Sequence, residues 1–315
     1  MGINVFIGLV AGALGLSAMA AEFAIYRSTD DGHSWSVAGR GVPGDLRTDA
    51  LGESGPLRLA GTERGLFVST DDGTTWSRPA RGVPESAKVG DFAVNGSWAY
   101  AATSDGVWAS PDHGRTWTRA GAELAGIKVL SLTVAAGRVF AGTDLHGAWM
   151  TAGPTNEWAE VGAGLPPRAQ LFQLAGLDDT VIAALYAQGV YRFDAAAKRW
   201  NPLAEEWPLR VTVAGGMVFS GRNPGGVFLS RDGGVSWRDG SAGLPENAPT
   251  WCLASRDDTV LIGTRGESRL LRYDPAFQKW QPSDQGLPQG ASPIAFGLGA
   301  NSALVAVIMD GPRGP

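Results

Sequence analysis

Arginine is the residue in this chain best placed to do chemistry. Arg64, Arg222 and Arg265 each stand in a short loop between two β-rich runs, and Arg313 lies in a comparable stretch near the C-terminus. A planar guanidinium grips a carboxylate through two parallel hydrogen bonds, so these side chains, if they converge, would make a cationic rim for acidic groups. If they stay apart, they are solvated loop residues with local partners. Asp144 and His146 offer an acid–base pair, although a two-residue spacing in a loop also arises by chance. Tyr186 and Trp251 offer flat faces for a sugar or an aromatic side chain, against the alternative of half-buried packing. Glu63, Asp105, Asp144 and Glu267 supply carboxylates in the same loops. A glycosidase needs two carboxylates about 5 to 10 Å apart, a distance that sequence spacing does not set.

Other chemistries are poorly supplied. His33, His113 and His146 are the only histidines, which leaves no histidine cluster for a metal, and no cofactor motif is present. Cys252 is the single cysteine, so no intrachain disulfide can form, and its setting in Thr-Trp-Cys-Leu-Ala reads as a buried, inert thiol. A net charge of −5 without a basic cluster argues against nucleic acid as a partner.

The elements that position these residues are marked by seven tryptophans, Trp35, Trp76, Trp117, Trp158, Trp200, Trp237 and Trp280, spaced 41, 41, 41, 42, 37 and 43 residues apart. Within one period, Val129 to Trp158, the chain reads as four short strands separated by turn residues. Units of four strands at about 40 to 45 residues are the blades of a β-propeller. The expected fold is therefore all-β, a single seven-bladed propeller of four-stranded antiparallel blades, filling 21–315 after a leader at 1–20.

Four tryptophans close one octapeptide: Ser28 to Trp35, Ser69 to Trp76, Ser110 to Trp117 and Ser230 to Trp237. Asp30, Asp71, Asp112 and Asp232 can accept bonds from nearby amides, while Gly32, Gly73, Gly114 and Gly234 can take the positive φ of a tight turn. The following Trp35, Trp76, Trp117 and Trp237 would fill the gap between neighbouring sheets. The segments ending at Trp158, Trp200 and Trp280 lack the full pattern and are expected to keep a hairpin with different turn chemistry. The spacing Ser-x-Asp-x-Gly-x-(Ser/Thr)-Trp resembles the Asp-box, or BNR, repeat over essentially all of the chain after residue 22.

The two ends say how the ring closes. One strand fits before the first octapeptide, Phe23 to Arg27, and two follow Trp280, Pro293 to Leu298 and Ala303 to Ile308. The N-terminal and C-terminal pairs together make one four-stranded blade, which leaves no open sheet edge at the seam. The leader, an apolar run ending in Ala18-Met19-Ala20, fits a secretory signal cleaved after Ala20 although it lacks an early Lys or Arg. Uncleaved, it would be a membrane anchor. The protein is expected to be exported, to the periplasm or beyond.

The Asp-box resemblance includes sialidases, which implies an Arg-Ile-Pro motif and an arginine triad. The chain has no Arg-Ile-Pro, and seven units differ from the six blades of that group. Xyloglucanases of the same repeat type use two tandem propellers. A single exported ring carrying Gly61-Thr62-Glu63-Arg64-Gly65 looks more like the lumenal photosystem II assembly-factor family. That resemblance implies a non-enzymatic adaptor that binds another protein or an envelope assembly intermediate through its loop face, with a sialidase-like glycoside hydrolase or a glycan-binding propeller as the alternatives.

Overall fold

The computed structural model describes residues 22–151, 157–204, 208–222, 225–264 and 270–309. The strands form seven antiparallel sheets. Six run consecutively along the chain; blade 1 begins at Thr48–Ser54 and blade 6 ends at Lys279–Pro282. Blade 1 has three full strands, and a bridge between Val68 and Ser77 supplies the start of its fourth. Blade 7 is the expected composite: Ala291–Leu298 and Ala303–Met309 from the C-terminal part pair with Glu22–Ser28 and Ser36–Ala38. Every residue of Glu22–Ser28 is paired with Ala303–Met309, so the seam is closed by a full hydrogen-bonded ladder.

The first strand of each blade is innermost, and successive innermost strands touch all the way round, from Thr48–Ser54 to Ala291–Leu298 and back. Seven buried clusters fill the seven gaps between blades, and each contains one of the seven period-marking tryptophans. Trp76 of blade 1, for example, packs with Ile25, Ala295 and Leu304 of blade 7. The sequence period is thus the period of gap filling, because each sheet buries its faces only against its neighbours.

The octapeptide turns carry identical bonding. In the first, Asp30 Oδ1 accepts the Ser34 amide at 2.9 Å and the Ser28 hydroxyl at 2.7 Å, while Ser28 Oγ accepts the Gly32 amide at 2.8 Å. The hydrogen bonds from Ser34 and Ser28 hold the Asp30 carboxyl down at about 2. Gly32 and Gly73 take φ of +83° and +86°, and a Cβ on either would strike Leu261 or Leu304 of the preceding blade. Two of the three degenerate turns are described and keep the hairpin with an Asp in another place: Asp194 accepts the Ala196 and Ala197 amides at 2.9 Å, and Asp274 accepts the Ala276 amide at 3.0 Å. The third turn falls at 152–156, outside the described residues.

A second repeat sits in the blade-to-blade connectors. Gly-(Val/Leu)-Pro occurs at Gly41, Gly82, Gly164, Gly243 and Gly286. In each copy the residue before the glycine accepts the backbone N–H of the next blade's tryptophan, as Arg40 does from Trp76 at 2.8 Å and Gln285 from Trp35 at 2.8 Å. A Cβ at Gly41 would lie 2.2 Å from the Trp76 carbonyl oxygen, so the connector clasps its neighbour at a distance only glycine permits.

Candidate functional site

All seven innermost strands carry a β-bulge at the end where the connectors and the loops between second and third strands gather. The bulged residues are Asp49, Gly90, Leu130, Phe172, Leu209, Trp251 and Ile294, and every one is half-buried. Bulges re-aim side chains and recur beside functional sites. Here they encircle the channel mouth with a ring that is apolar at Leu130, Phe172, Leu209, Trp251 and Ile294.

The layer below the ring comprises Ala50, Asp91, Ser131, Gln173, Arg210, Cys252 and Ala295, each paired with a glycine or alanine of its second strand. Asp91 ties the layer together. Its Oδ2 accepts the Ser131 hydroxyl at 2.9 Å and the Leu132 amide at 2.8 Å, and its Oδ1 accepts the Phe92 amide at 2.8 Å. Ser131 Oγ in turn accepts the Leu174 amide at 2.9 Å, joining blades 2, 3 and 4. Burial pushes the Asp91 carboxyl up to about 6, and the three hydrogen bonds only partly oppose it. Across the layer, burial lowers the Arg210 guanidinium from its usual value, while Cys252 and Asp91 draw it back toward the charged form. Cys252 is buried as expected, its thiol pushed up to about 12 by that burial. A thiol held so far from its ionised form is an inert packing group.

The loop residues singled out by sequence that fall among the described residues lie around this mouth, and the charged ones have local engagements. The Arg64 guanidinium lies 3.5 Å from Asp45, both groups being exposed. Arg222 is in blade 5, with its guanidinium carbon 3.3 Å from the ring centre of Phe228 on the third strand of that blade. Arg265 and Arg313 fall outside the described residues. Asp144 and His146 are adjacent, but the imidazole Nδ1 sits 2.9 Å from the Asp144 backbone oxygen, while the carboxylate binds the Lys128 ammonium at 2.8 Å and the Gln170 side chain. The hydrogen bond from Lys128, helped by Gln170, holds that carboxyl below the usual carboxylate range. It is therefore ionised and occupied, and its oxygens do not face the imidazole as an acid–base pair would require. Thr62 Oγ1 donates to the Gly65 carbonyl at 2.8 Å and accepts the Arg64 amide at 3.1 Å, so the Gly-Thr-x-x-Gly loop is a self-bonded turn.

Tyr186 departs from the packing alternative: it is 50% exposed, with its ring 6.1 Å from Phe172. Phe172 in turn carries the Arg210 guanidinium carbon 4.7 Å from its ring centre. The row Tyr186, Phe172, Arg210 thus leads from solvent into the channel. Sequence reasoning missed Phe172 and Arg210 because nothing local marks them; only the sevenfold alignment of innermost strands puts Phe172 in the bulge ring and Arg210 in the layer beneath.

No protein-family model matches the chain, and no curated protein matches it in sequence. Solved structures do match in shape. YCF48 from Cyanidioschyzon merolae is 12% identical with a TM-score of 0.64, over 86% of this chain and 97% of that one. YCF48 bound to D1 peptide is 13% identical with a TM-score of 0.61, over 95% and 98% of the two chains. The GH74 xyloglucanase from Xanthomonas campestris is 18% identical with a TM-score of 0.62, over 91% of this chain and 56% of the enzyme, so the present ring spans little more than half of it. At these identities the likenesses establish the seven-bladed propeller fold.

Proposed function

We propose that this protein is an exported, non-enzymatic propeller of the Asp-box type that binds a polypeptide across the mouth of its channel, on the face formed by connectors and second-to-third-strand loops. The observation that carries the reading is the bulge ring, half-buried in all seven blades and apolar in five of them, with the exposed Tyr186 ring at its edge. A largely apolar mouth bordered by paired charges such as Asp144 with Lys128 and Arg64 with Asp45 has the layout of a protein contact, apolar at the centre and polar at the rim. The peptide complex of YCF48 supports the choice of a polypeptide.

The test is photo-crosslinking. A benzophenone amino acid is placed at Tyr186, and as control at Val235, which is exposed in an octapeptide turn on the opposite face. A discrete protein adduct from Tyr186 alone, formed in the native envelope, is the expected result. Equal labelling from both positions, or none from Tyr186, overturns the reading. Glycan binding is the second reading, favoured by the two planar rings Tyr186 and Trp251 near one mouth; saturable binding of xyloglucan oligosaccharides that is lost in Trp251→Ala would support it.

A further inference from the structure

Arg210 is held in dense surroundings at the upper end of the channel with most of its donors unused. Among the described residues it makes one hydrogen bond, from Nη1 to the carbonyl of the preceding residue, Leu209, at 2.9 Å. Among the described residues, no carboxylate comes within ion-pairing distance of it. Asp91 attracts it electrostatically, but the Asp91 oxygens are engaged by Ser131, Leu132 and Phe92. A guanidinium has five N–H donors in a rigid fork, and on the half-buried Arg210 most of them are left for a ligand or solvent. The Phe172 ring, with its centre 4.7 Å from the guanidinium carbon, restricts where the fork can swing. In the same layer, in the adjacent blade, the buried amide oxygen of Gln173 makes no hydrogen bond, and that amide can turn to present its N–H2 instead. Above this polar pair stands the apolar ring of Leu130, Phe172, Leu209, Trp251 and Ile294.

We infer that the upper channel is a carboxylate-binding site, in which Arg210 and Gln173 receive a carboxylate carried on an apolar, preferably flat, body that fills the bulge ring. The charge balance favours a single negative charge. Among the described residues, the other cations near the mouth are engaged, Arg47 and Lys88 by Asp49, Lys128 by Asp144, Arg64 by Asp45 and Arg222 against Phe228, so a phosphate dianion would find one guanidinium and no second partner there. The carboxylate has two sources, a free organic acid or the acidic group of a polypeptide. In the second case the site deepens the polypeptide-binding reading and rests on it.

Calorimetric titration of the full chain with 3-phenylpropionate and with its uncharged amide tests the site without any mutation. The acid is expected to bind, and the amide at least about tenfold more weakly, which corresponds to about 1.4 kcal/mol. Arg210→Gln, which removes the guanidinium charge and keeps a polar amide, is expected to lose the same factor. A short peptide ending in phenylalanine, as free acid and as amide, separates the sources: tighter binding of the peptide acid than of 3-phenylpropionate assigns the carboxylate to a polypeptide, and the reverse order assigns it to a free acid. Equal binding of acid and amide, or undiminished acid binding by a folded Arg210→Gln, overturns the site. Crosslinking from Tyr186 is a separate readout, so the adaptor reading survives that outcome, and acid binding without crosslinking removes the adaptor and leaves the site.

Discussion

Arg58 and Ser302, 244 residues apart, share a hydrogen bond of 2.8 Å from Nη2 to the serine hydroxyl oxygen. Arg58 belongs to the second strand of blade 1 and Ser302 to the hairpin turn of blade 7, so the bond crosses the seam where the two ends of the chain meet. The same guanidinium pairs with Glu53 and, from Nε at 2.7 Å, with Asp72, while Glu53 accepts the Ala300 amide at 2.9 Å. Its side chain is only 5% exposed. Removing one member of a buried network leaves uncompensated charge. Arg58→Ala is expected to lower unfolding stability by about 3 to 5 kcal/mol, and Ser302→Ala by about 1 kcal/mol, in urea titrations. Equal and small effects would show that the network adds nothing to closure.

The seam also makes the C-terminal hairpin indispensable. Ending the chain at Gln289 removes Ala291–Leu298 and Ala303–Met309, half of blade 7, and uncovers Tyr26, Trp35 and Leu261 in one gap and Ile25 and Trp76 in the next. It leaves Glu22–Ser28 without its fully paired neighbour. Thermal unfolding followed by circular dichroism should lose its cooperative transition. A truncated chain that melts within a few degrees of the whole one would mean that the ring does not depend on the composite blade.

Gly73 and Gly96 separate backbone strain from packing. Both have positive φ, +86° and +62°, but a Cβ on Gly73 would meet Leu304 at 2.8 Å, and one on Gly96 meets nothing within 4 Å. Alanine at either position carries the left-handed penalty of about 1 to 2 kcal/mol. At Gly73 overpacking adds about 1 to 3 kcal/mol. The urea midpoint should therefore fall further for Gly73→Ala, and equal shifts would place the whole cost in the backbone.

The fold was open to sequence reading because its marker residues are periodic and do one job each. The tryptophans fill the gaps, Asp30 and its equivalents build turns, and the two-plus-two count of terminal strands closes the ring. The Gly-(Val/Leu)-Pro connector carried an equally periodic signal in five copies; it is legible once the copies are aligned, as the Trp76 N–H to Arg40 bond explains. The bulges were not legible, since a bulge exists only in the register between two strands and Phe172 looks like any strand phenylalanine. For the same reason the loop arginines offered the eye a rim, while their engagements are set by neighbours: Asp45 for Arg64, and Phe228 for Arg222.

Asp91 provides a pH test of the channel layer. Its folded pKa, about 6, lies above the 3.8 of an unperturbed Asp, so the folded state holds a proton more tightly than the unfolded chain does. The resulting stabilisation is complete below pH 3.8 and disappears as pH rises through 6, by at most about 3 kcal/mol for a shift of this size. The octapeptide carboxyls act in the opposite sense: Asp30 and Asp232, held at about 2 by bonds led by those from Ser34 and Ser36, lose their contribution as pH falls from about 4 toward 2. Comparing wild type with Asp91→Asn at each pH cancels the octapeptides. The wild-type advantage should shrink between pH 4 and 8, and a flat difference would show that Asp91 is ionised throughout. The same proton bears on the ligand. Arg210 is attracted by Asp91, while the Cys252 thiol near it stays neutral, so protonating Asp91 removes the negative charge that competes with an incoming carboxylate. Affinity for 3-phenylpropionate should therefore rise from pH 7.5 to 5.5 in wild type and stay level in Asp91→Asn, and a parallel rise in both proteins would assign the effect to a group outside this layer.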